Sequence, residues 1–286
     1  VGLITGGGSG HEPAFVGYLG DGMLDSVAIG EVFASPPALA FYDAIVDADQ
    51  GEGVAVLFGN YAGDNMNVKM AVQMAEDDDI EVKYVVANDD VASAPKAVKE
   101  QRHGIAGGFF MWKVGGARAA KGGNLDAVIA SAQNVVSRTK SICVGLEPCV
   151  IPALGHSNFK IEDGMMEFGV GHHGEAGTKV EELKSASEIA QEMAETILND
   201  FDFEEGKEVA VMLSGLGATP VMELYVLYDE VEKVLAKAGH KVWKTYIGNY
   251  VTSLDMNGAS LTIVDLDDEI KELLSEPAAP IGMKNY

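Results

Sequence analysis

Two adjacent imidazoles, His172 and His173, stand between two carboxylates, Glu167 and Glu175, in the stretch Met166 to Gly177, Met-Glu-Phe-Gly-Val-Gly-His-His-Gly-Glu-Ala-Gly. Histidine is the side chain whose charge changes nearest neutral pH, and its neutral ring can serve as base, metal ligand or nucleophile. Gly169, Gly171, Gly174 and Gly177 argue against a helix, because each gives up backbone entropy on ordering. A loop is expected, one that lets a substrate approach a ring closely. The plainer alternative is a turn bearing two solvent-exposed histidines.

A third histidine, His11, lies in Gly6-Gly7-Gly8-Ser9-Gly10-His11-Glu12-Pro13, directly after the apolar segment Val1 to Thr5. Strand, glycine loop and helical stretch make a cradle in which backbone N–H groups can face a bound group. It is not a phosphate-binding Walker loop, since no Lys-Ser or Lys-Thr follows, and it lacks the dinucleotide fingerprint. A tight strand-to-helix turn is the alternative. The second candidate strand, Gly53 to Phe58, runs into Gly59-Asn60-Tyr61-Ala62-Gly63-Asp64, and a helix is expected from Asn65 to Glu76. Ligands of open α/β sheets sit beyond the carboxyl ends of the strands, which places Asp64 well for chemistry. Asp64 also suits a helix N-cap, and the two roles are compatible.

These residues need elements to hold them. Glu81 to Ala87 reads as a further strand, and Phe109 to Arg118 and Asn124 to Arg138 as helices. Alternating strands and helices imply a mostly parallel sheet covered by helices. From Ser141 the pattern changes. Ile142 to Leu146 and Cys149 to Leu154 are short apolar pieces, Met165 to Val170 leads to the histidine loop, and Ser185 to Leu198 is an amphipathic helix. Glu208 to Leu213, Lys241 to Ile247 and Ser260 to Val264 read as strands, with a helix from Pro220 to Ala238 that has proline at its first position. The expected fold class is α/β: two α/β domains, with mostly parallel or mixed sheets and helices packed on their faces. Residues 1–140 would carry the glycine and Asp64 loops, and residues 141–286 the histidine loop. The tail 276–286 would pack back on the first domain.

Of 286 residues, 47% are hydrophobic and 22% charged, a globular composition. The net charge of −24 tells against binding a nucleic-acid backbone or an anionic membrane surface. No apolar run approaches the roughly 18 residues of a membrane span. Cys143 and Cys149 alone make no disulfide framework, which suits a reducing cytoplasm. The chain opens as if inside a strand and without Met, so an N-terminal piece is expected to precede it. No metal is expected: adjacent histidines rarely both face one ion, and no two-turn His spacing is present. No phosphate-binding loop or protein-kinase motif set appears, so no nucleotide site is expected on this chain. His156 and His240 are expected at the surface, and Trp112 and Trp243 in the core or an interface.

Taken together, Gly6 to Pro13, Asn60-Tyr61 with Gly63-Asp64, Met166 to Gly174, Leu216 to Pro220 and Thr252 to Gly258 resemble the dihydroxyacetone kinase K subunit, in order and over essentially the whole chain. The resemblance implies a cytoplasmic, homodimeric, glycerone-type kinase subunit of glycerol metabolism. Aligned on Glu-Phe-Gly-Val-Gly-x-His-Gly-Glu, the family's hemiaminal-forming histidine falls on His173, not His172. The family's general base falls on Asp64. Its substrate-bonding, proton-moving histidine falls on His11, with Gly7 and Gly8 giving backbone contacts. The implied substrate is a short-chain ketose, dihydroxyacetone or erythrulose. The implied partner is an L subunit holding ATP or ADP with Mg, whether the donor is free ATP or a nucleotide recharged by a phosphotransferase system; this chain itself binds no cofactor. Many members have Lys where this chain has Gly59, and Thr where it has Ala62; Gly59 resembles the branch associated with four-carbon ketoses. A K-like ketone sensor acting as a transcriptional co-activator is the alternative. Such a sensor needs the ketone-binding histidine but no base, so the presence of His11, Asp64 and His173 together favours the kinase.

Overall fold

The run Val54 to Phe58 is a strand with every residue buried, as befits a parallel strand covered on both faces. A computed structural model describes residues 1–157, 159–201 and 206–282. In chain order its elements begin with β1 (Gly2–Ser9), β2 (Gly20–Asp21), β3 (Ser26–Val32), α1 (Ala38–Ala48), β4 (Val54–Gly59), α2 (Ala62–Asp77), β5 (Val82–Ala87), α3 (Gly108–Ala120) and α4 (Leu125–Ser137). They continue with β6 (Thr139–Glu147), β7 (Met165–Phe168), β8 (Lys179–Glu182), α5 (Ala186–Asp200), β9 (Glu208–Gly215), α6 (Val221–Lys237), β10 (Lys241–Gly248), β11 (Asn257–Asp265), α7 (Asp268–Ser275) and β12 (Ala279–Pro280). No helix among the described residues is long and apolar enough to cross a membrane.

The described residues form two units, 1–88 with 107–137 and 267–282, and 89–106 with 138–266. A single cut at residue 140 therefore misplaces two segments. Residues 89–106 go with the second unit because Val91 N–H donates to Ser141 O at 3.0 Å and Ser141 N–H to Asp89 O at 2.8 Å. There Arg102 also forms a bidentate pair with Asp200, 2.7 Å on each arm. Residues 267–282 return to the first unit, where Lys113 Nζ donates to Leu273 O and β12 pairs with β2. Positions 283–286 of the tail lie outside the described residues.

The first unit holds a parallel sheet in the order β3-β1-β4-β5. Ile4, Val54, Val56 and Phe58 pack against Phe41, Ile45, Val68 and Ala71 of α1 and α2. On the other face Trp112 of α3 donates its indole N–H to Leu57 O at 3.0 Å. The second unit holds a mixed sheet, β10-β9-β11-β6-β7-β8. Val144, Phe168, Val211, Leu213 and Leu261 point toward Met193 and Ile197 of α5 and Leu224 and Val231 of α6. Successive strand residues face opposite ways, and the intervening Ser141 and Thr262 are buried and bonded to each other at 2.7 Å. Ser185 caps α5 in a box with Glu188, a device typically worth about 1 kcal/mol. The apolar piece Cys149 to Leu154 is no strand: it is a turn closed by a bridge between Ile151 and His156.

Candidate active site

Two neighbouring strands of the first unit, β1 and β4, end at the glycine segment and at the Asp64 segment. The glycines do not form a loop. Gly6, Gly7 and Gly8 lie inside β1, where β1 pairs with β3 in parallel register. Their side chains are absent because rings and backbone occupy the space. A Cβ on Gly6 would come within 2.3 Å of the Phe41 ring, on Gly7 within 2.1 Å of the Phe15 ring, and on Gly8 within 2.7 Å of Ala34 N. The loop begins only at Gly10 and leads through a turn into a short 3-10 helix, Val16–Tyr18. Pairing of β1 with β4 stops at Ile4↔Val56.

His11 stands at the start of that turn. It is buried, stacked on Phe33 with centroids 5.3 Å apart and set edge-on to Phe15 at 6.1 Å. Phe33 holds its ring there from a left-handed backbone, φ 56°, a conformation that costs roughly 1–2 kcal/mol for a residue with a side chain. Strain of that kind collects at functional sites.

Asp64 is not the N-cap of its helix. That position belongs to Tyr61, and Asp64 is the third residue of α2, where the helix dipole favours a carboxylate. Asp64 is buried and accepts a 2.8 Å hydrogen bond from Ser35 Oγ. Ser35 can come this close because residue 63 is glycine, whose Cβ would sit 2.5 Å from Ser35 Oγ. Asn67 of α2 adds a bond to Pro36 O at 2.7 Å. Gly59, half-buried, ends β4 opposite Ala87 of β5.

In the second unit, the loop between β7 and β8 is pinned at both ends. Gly169 N–H donates to Cys143 O at 2.7 Å and Thr178 N–H to Phe168 O at 2.8 Å. Glu167 accepts from Gly177 N–H at 2.6 Å. Ser253 donates to the carbonyl oxygen of His172. The two histidines are thereby separated. His172 turns inward and is buried at 3% exposure, whereas His173 is half-buried. Two solvent-exposed rings are not what the loop presents.

Glu175 holds His173 twice. Oε1 lies 2.9 Å from ring Nδ1, and Oε2 accepts from the His173 backbone N–H at 2.8 Å. A side chain on Gly171 would sit 2.2 Å from this carboxylate. Burial works to raise the pKa of Glu175, but the hydrogen bonds and charge of His173 outweigh it and bring it down to about 2. An ionised carboxylate only accepts hydrogen bonds. Nδ1 is therefore the donor, and the lone pair of the neutral ring sits on Nε2. Near this pair lies Asp90, buried, accepting from Ala92 N–H at 3.0 Å. Burial raises its pKa to about 7; Ala92 opposes the rise, and the charges of Asp89 and Glu175 add to it.

Gly7, Gly8, His11, Gly59 and Asp64 thus belong to the first unit and His173 to the second. Sequence reasoning gave no role to Ser35, Phe33, Ser253 or Asp90, whose partners are remote in the chain. Glu175 stands in the sequence motif without a role of its own toward the ring, although its place two residues after His173 is a usable signal. His240, expected at the surface, is buried at the turn into β10, with its N–H on Leu235 O at 2.9 Å; His156 is exposed. Among the described residues no three His, Cys, Asp or Glu side chains group as a metal site.

Residues 1–281 match the Dak1 domain family. The chain is 42% identical to the dihydroxyacetone-binding subunit of PTS-dependent dihydroxyacetone kinase 1 of Listeria innocua, over 94% of this chain and 82% of that one. It is 37% identical to a D-erythrulose kinase of Mycolicibacterium smegmatis, over 97% of this chain and 48% of that one. Among solved structures, a dihydroxyacetone kinase operon co-activator superposes with a TM-score of 0.93 at 32% identity, covering 98% of this chain and 87% of that one.

Proposed function

The chain belongs to the Dak1 domain family, and on that premise we propose that it is the ketose-binding subunit of a dihydroxyacetone-type kinase. It takes a short-chain ketose, dihydroxyacetone or erythrulose, as a covalent hemiaminal on His173. The observation that carries this reading is the Glu175–His173 pair, which puts the ring's lone pair on Nε2 while His172 is buried. Nε2 adds to the ketone C2, and the carbonyl π pair moves to oxygen. Glycerol-like alcohols, which have no carbonyl to attack, are then excluded by covalent chemistry rather than by pocket shape alone. His11 hydrogen-bonds the substrate and moves the proton that the new hydroxyl requires. Asp64 takes the proton of the terminal hydroxyl as that oxygen attacks phosphorus. Gly7 and Gly8 contribute backbone groups on the side of β1 that is no longer paired with β4.

The nucleotide, with Mg, is carried by a separate L subunit, either as free ATP or as ADP recharged there by a phosphotransferase system, and the K chain works as a homodimer. Support for a separate donor comes from relatives named as subunits of PTS-dependent or PEP-dependent kinases. The co-activator likeness supports a second reading, a ketone sensor. The buried Asp64, held by Ser35, favours the kinase, since a sensor needs no base.

Native mass spectrometry with dihydroxyacetone tests the assignment. The wild-type protein should gain one ketose, His172→Ala should keep the adduct, and His173→Ala should lose it. Equal loss in both variants would show that the wrong ring has been chosen.

A further inference from the structure

We propose that the ketone adduct on His173 is a cationic N-alkylimidazolium paired with the Glu175 carboxylate, so that ketose binding takes up one proton from solvent. This rests on the reading of His173 as the residue that adds to the ketone.

The carboxylate is built into the loop around one residue. It holds the ring Nδ1 at 2.9 Å and the backbone N–H of the same residue at 2.8 Å. Gly171 leaves room for it and donates its own N–H to Glu175 O at 2.9 Å. The step balances in one of two ways. Along the neutral route the Nε2–C2 bond forms, the Nδ1 proton leaves, and the oxygen gains a proton, with no net uptake. Along the cationic route the same bond forms and the π pair goes to oxygen, which takes a proton from a solvent acid. Nδ1 then keeps its hydrogen, and the ring carries the charge.

An opposite charge within about 4–6 Å favours the charged form of a group, and Glu175 is closer than that. Of the other charged groups nearby, Arg102 opposes a positive ring, and its charge is held by Asp200 in a bidentate pair. The remaining groups work in the same direction or not at all. Asp89 and Asp90, from the segment preceding α3, add negative charge when ionised. Glu167 at the end of β7 is a carboxylate binding Gly177 N–H. The Cys143 thiol on β6 is pushed up by burial and stays neutral, and His172 is a buried ring of the same loop. In the neutral adduct this concentration of acceptors would face an uncharged ring. The role of Glu175 is therefore to position the ring and to supply its counter-charge.

Calorimetry with dihydroxyacetone at pH 8, in buffers of different ionisation enthalpy, reads the proton directly. Wild-type protein should take up about one proton per ketose, and its affinity should fall about tenfold per pH unit where the free ring is neutral and the adduct charged. Glu175→Gln preserves shape but removes the charge. Its uptake should drop toward zero, its affinity should fall by about tenfold or more, and its pH dependence should flatten. A wild-type adduct formed without proton uptake overturns this inference and leaves the reading of His173 standing. Absence of any adduct on wild-type protein overturns both. Because the wild-type stoichiometry decides by itself, a Glu175→Gln chain that failed to fold would not rescue the idea.

Discussion

Ser35 and Asp64 are joined by a 2.8 Å hydrogen bond across 29 residues of chain, with Oγ donating to Oδ2. The bond orients a buried carboxylate at the start of α2, and it exists because Gly63 lets Ser35 approach. It links Asp64 to the segment between β3 and α1, which no local pattern connects with it.

Binding and transfer should therefore separate at Asp64. Asp64→Asn should still bind ketose, because adduct formation needs the imidazole, yet lose transfer by on the order of a hundredfold to ten-thousandfold. Ser35→Ala should show a smaller loss in kcat with the adduct retained. The measurements are native mass spectrometry beside a coupled kinase assay with the L subunit present. Normal turnover in Asp64→Asn would reduce the residue to a dipole partner of its helix.

Substrate length should be read at Gly59. A lysine at the end of β4 would bring a cationic donor five residues before Asp64. A neutral hydrogen bond is worth about 0.5–1.5 kcal/mol net, and one with a charged partner more. Without that side chain, the extra hydroxymethyl group of a four-carbon ketose should be accommodated at this end. Erythrulose should match or exceed dihydroxyacetone in kcat/KM, and Gly59→Lys should shift preference toward dihydroxyacetone. A tenfold preference of the wild type for dihydroxyacetone, about 1.4 kcal/mol, would mean that another residue closes this end.

Stability should depend on pH through Asp90. Burial lifts its pKa from the ordinary 3.8 to about 7, so the folded chain binds the proton more tightly than the unfolded chain does. That contribution is complete below about pH 4 and is lost as pH rises through about 7. Thermal unfolding from pH 5 to 8 should show Tm falling with pH in the wild type and a flatter profile in Asp90→Asn. Parallel profiles would place the titration elsewhere.

The Arg102–Asp200 pair should be costly to break singly. Arg102 is 1% exposed and donates both guanidinium arms to Asp200 and Nε to Ala94 O. Arg102→Met should cost up to about 3 kcal/mol in urea unfolding, because it leaves the half-buried Asp200 carboxylate without its guanidinium partner. Arg102→Met with Asp200→Leu should recover much of the loss. An unchanged midpoint in the single variant would show that Asp200 finds water or another cation.

Local patterns in the chain were sufficient for the α/β class, the buried strand at Val54 to Phe58, the helix α6 and the loop around His173, because periodicity and glycine content act over a few residues. Helix α6 itself starts at Val221, with Pro220 as its N-cap rather than its first residue. The preference for His173 over His172 comes from the family motif rather than from any local pattern. Packing decided the rest. Gly6 to Gly8 are strand residues because they pair with Ala28, Ile29 and Gly30 of β3, and they are glycines because Phe41, Phe15 and Ala34 occupy the space of a side chain. Asp64 lies inside its helix because the helix begins three residues earlier than its apolar pattern. His172 turns inward because Ser253, 81 residues away, holds its carbonyl. Residues 89–106 and 267–282 change unit because their hydrogen bonds run to partners far along the chain. A chain of residues carries no record of which distant groups will meet, and burial, tautomer and shifted pKa arise only when they do.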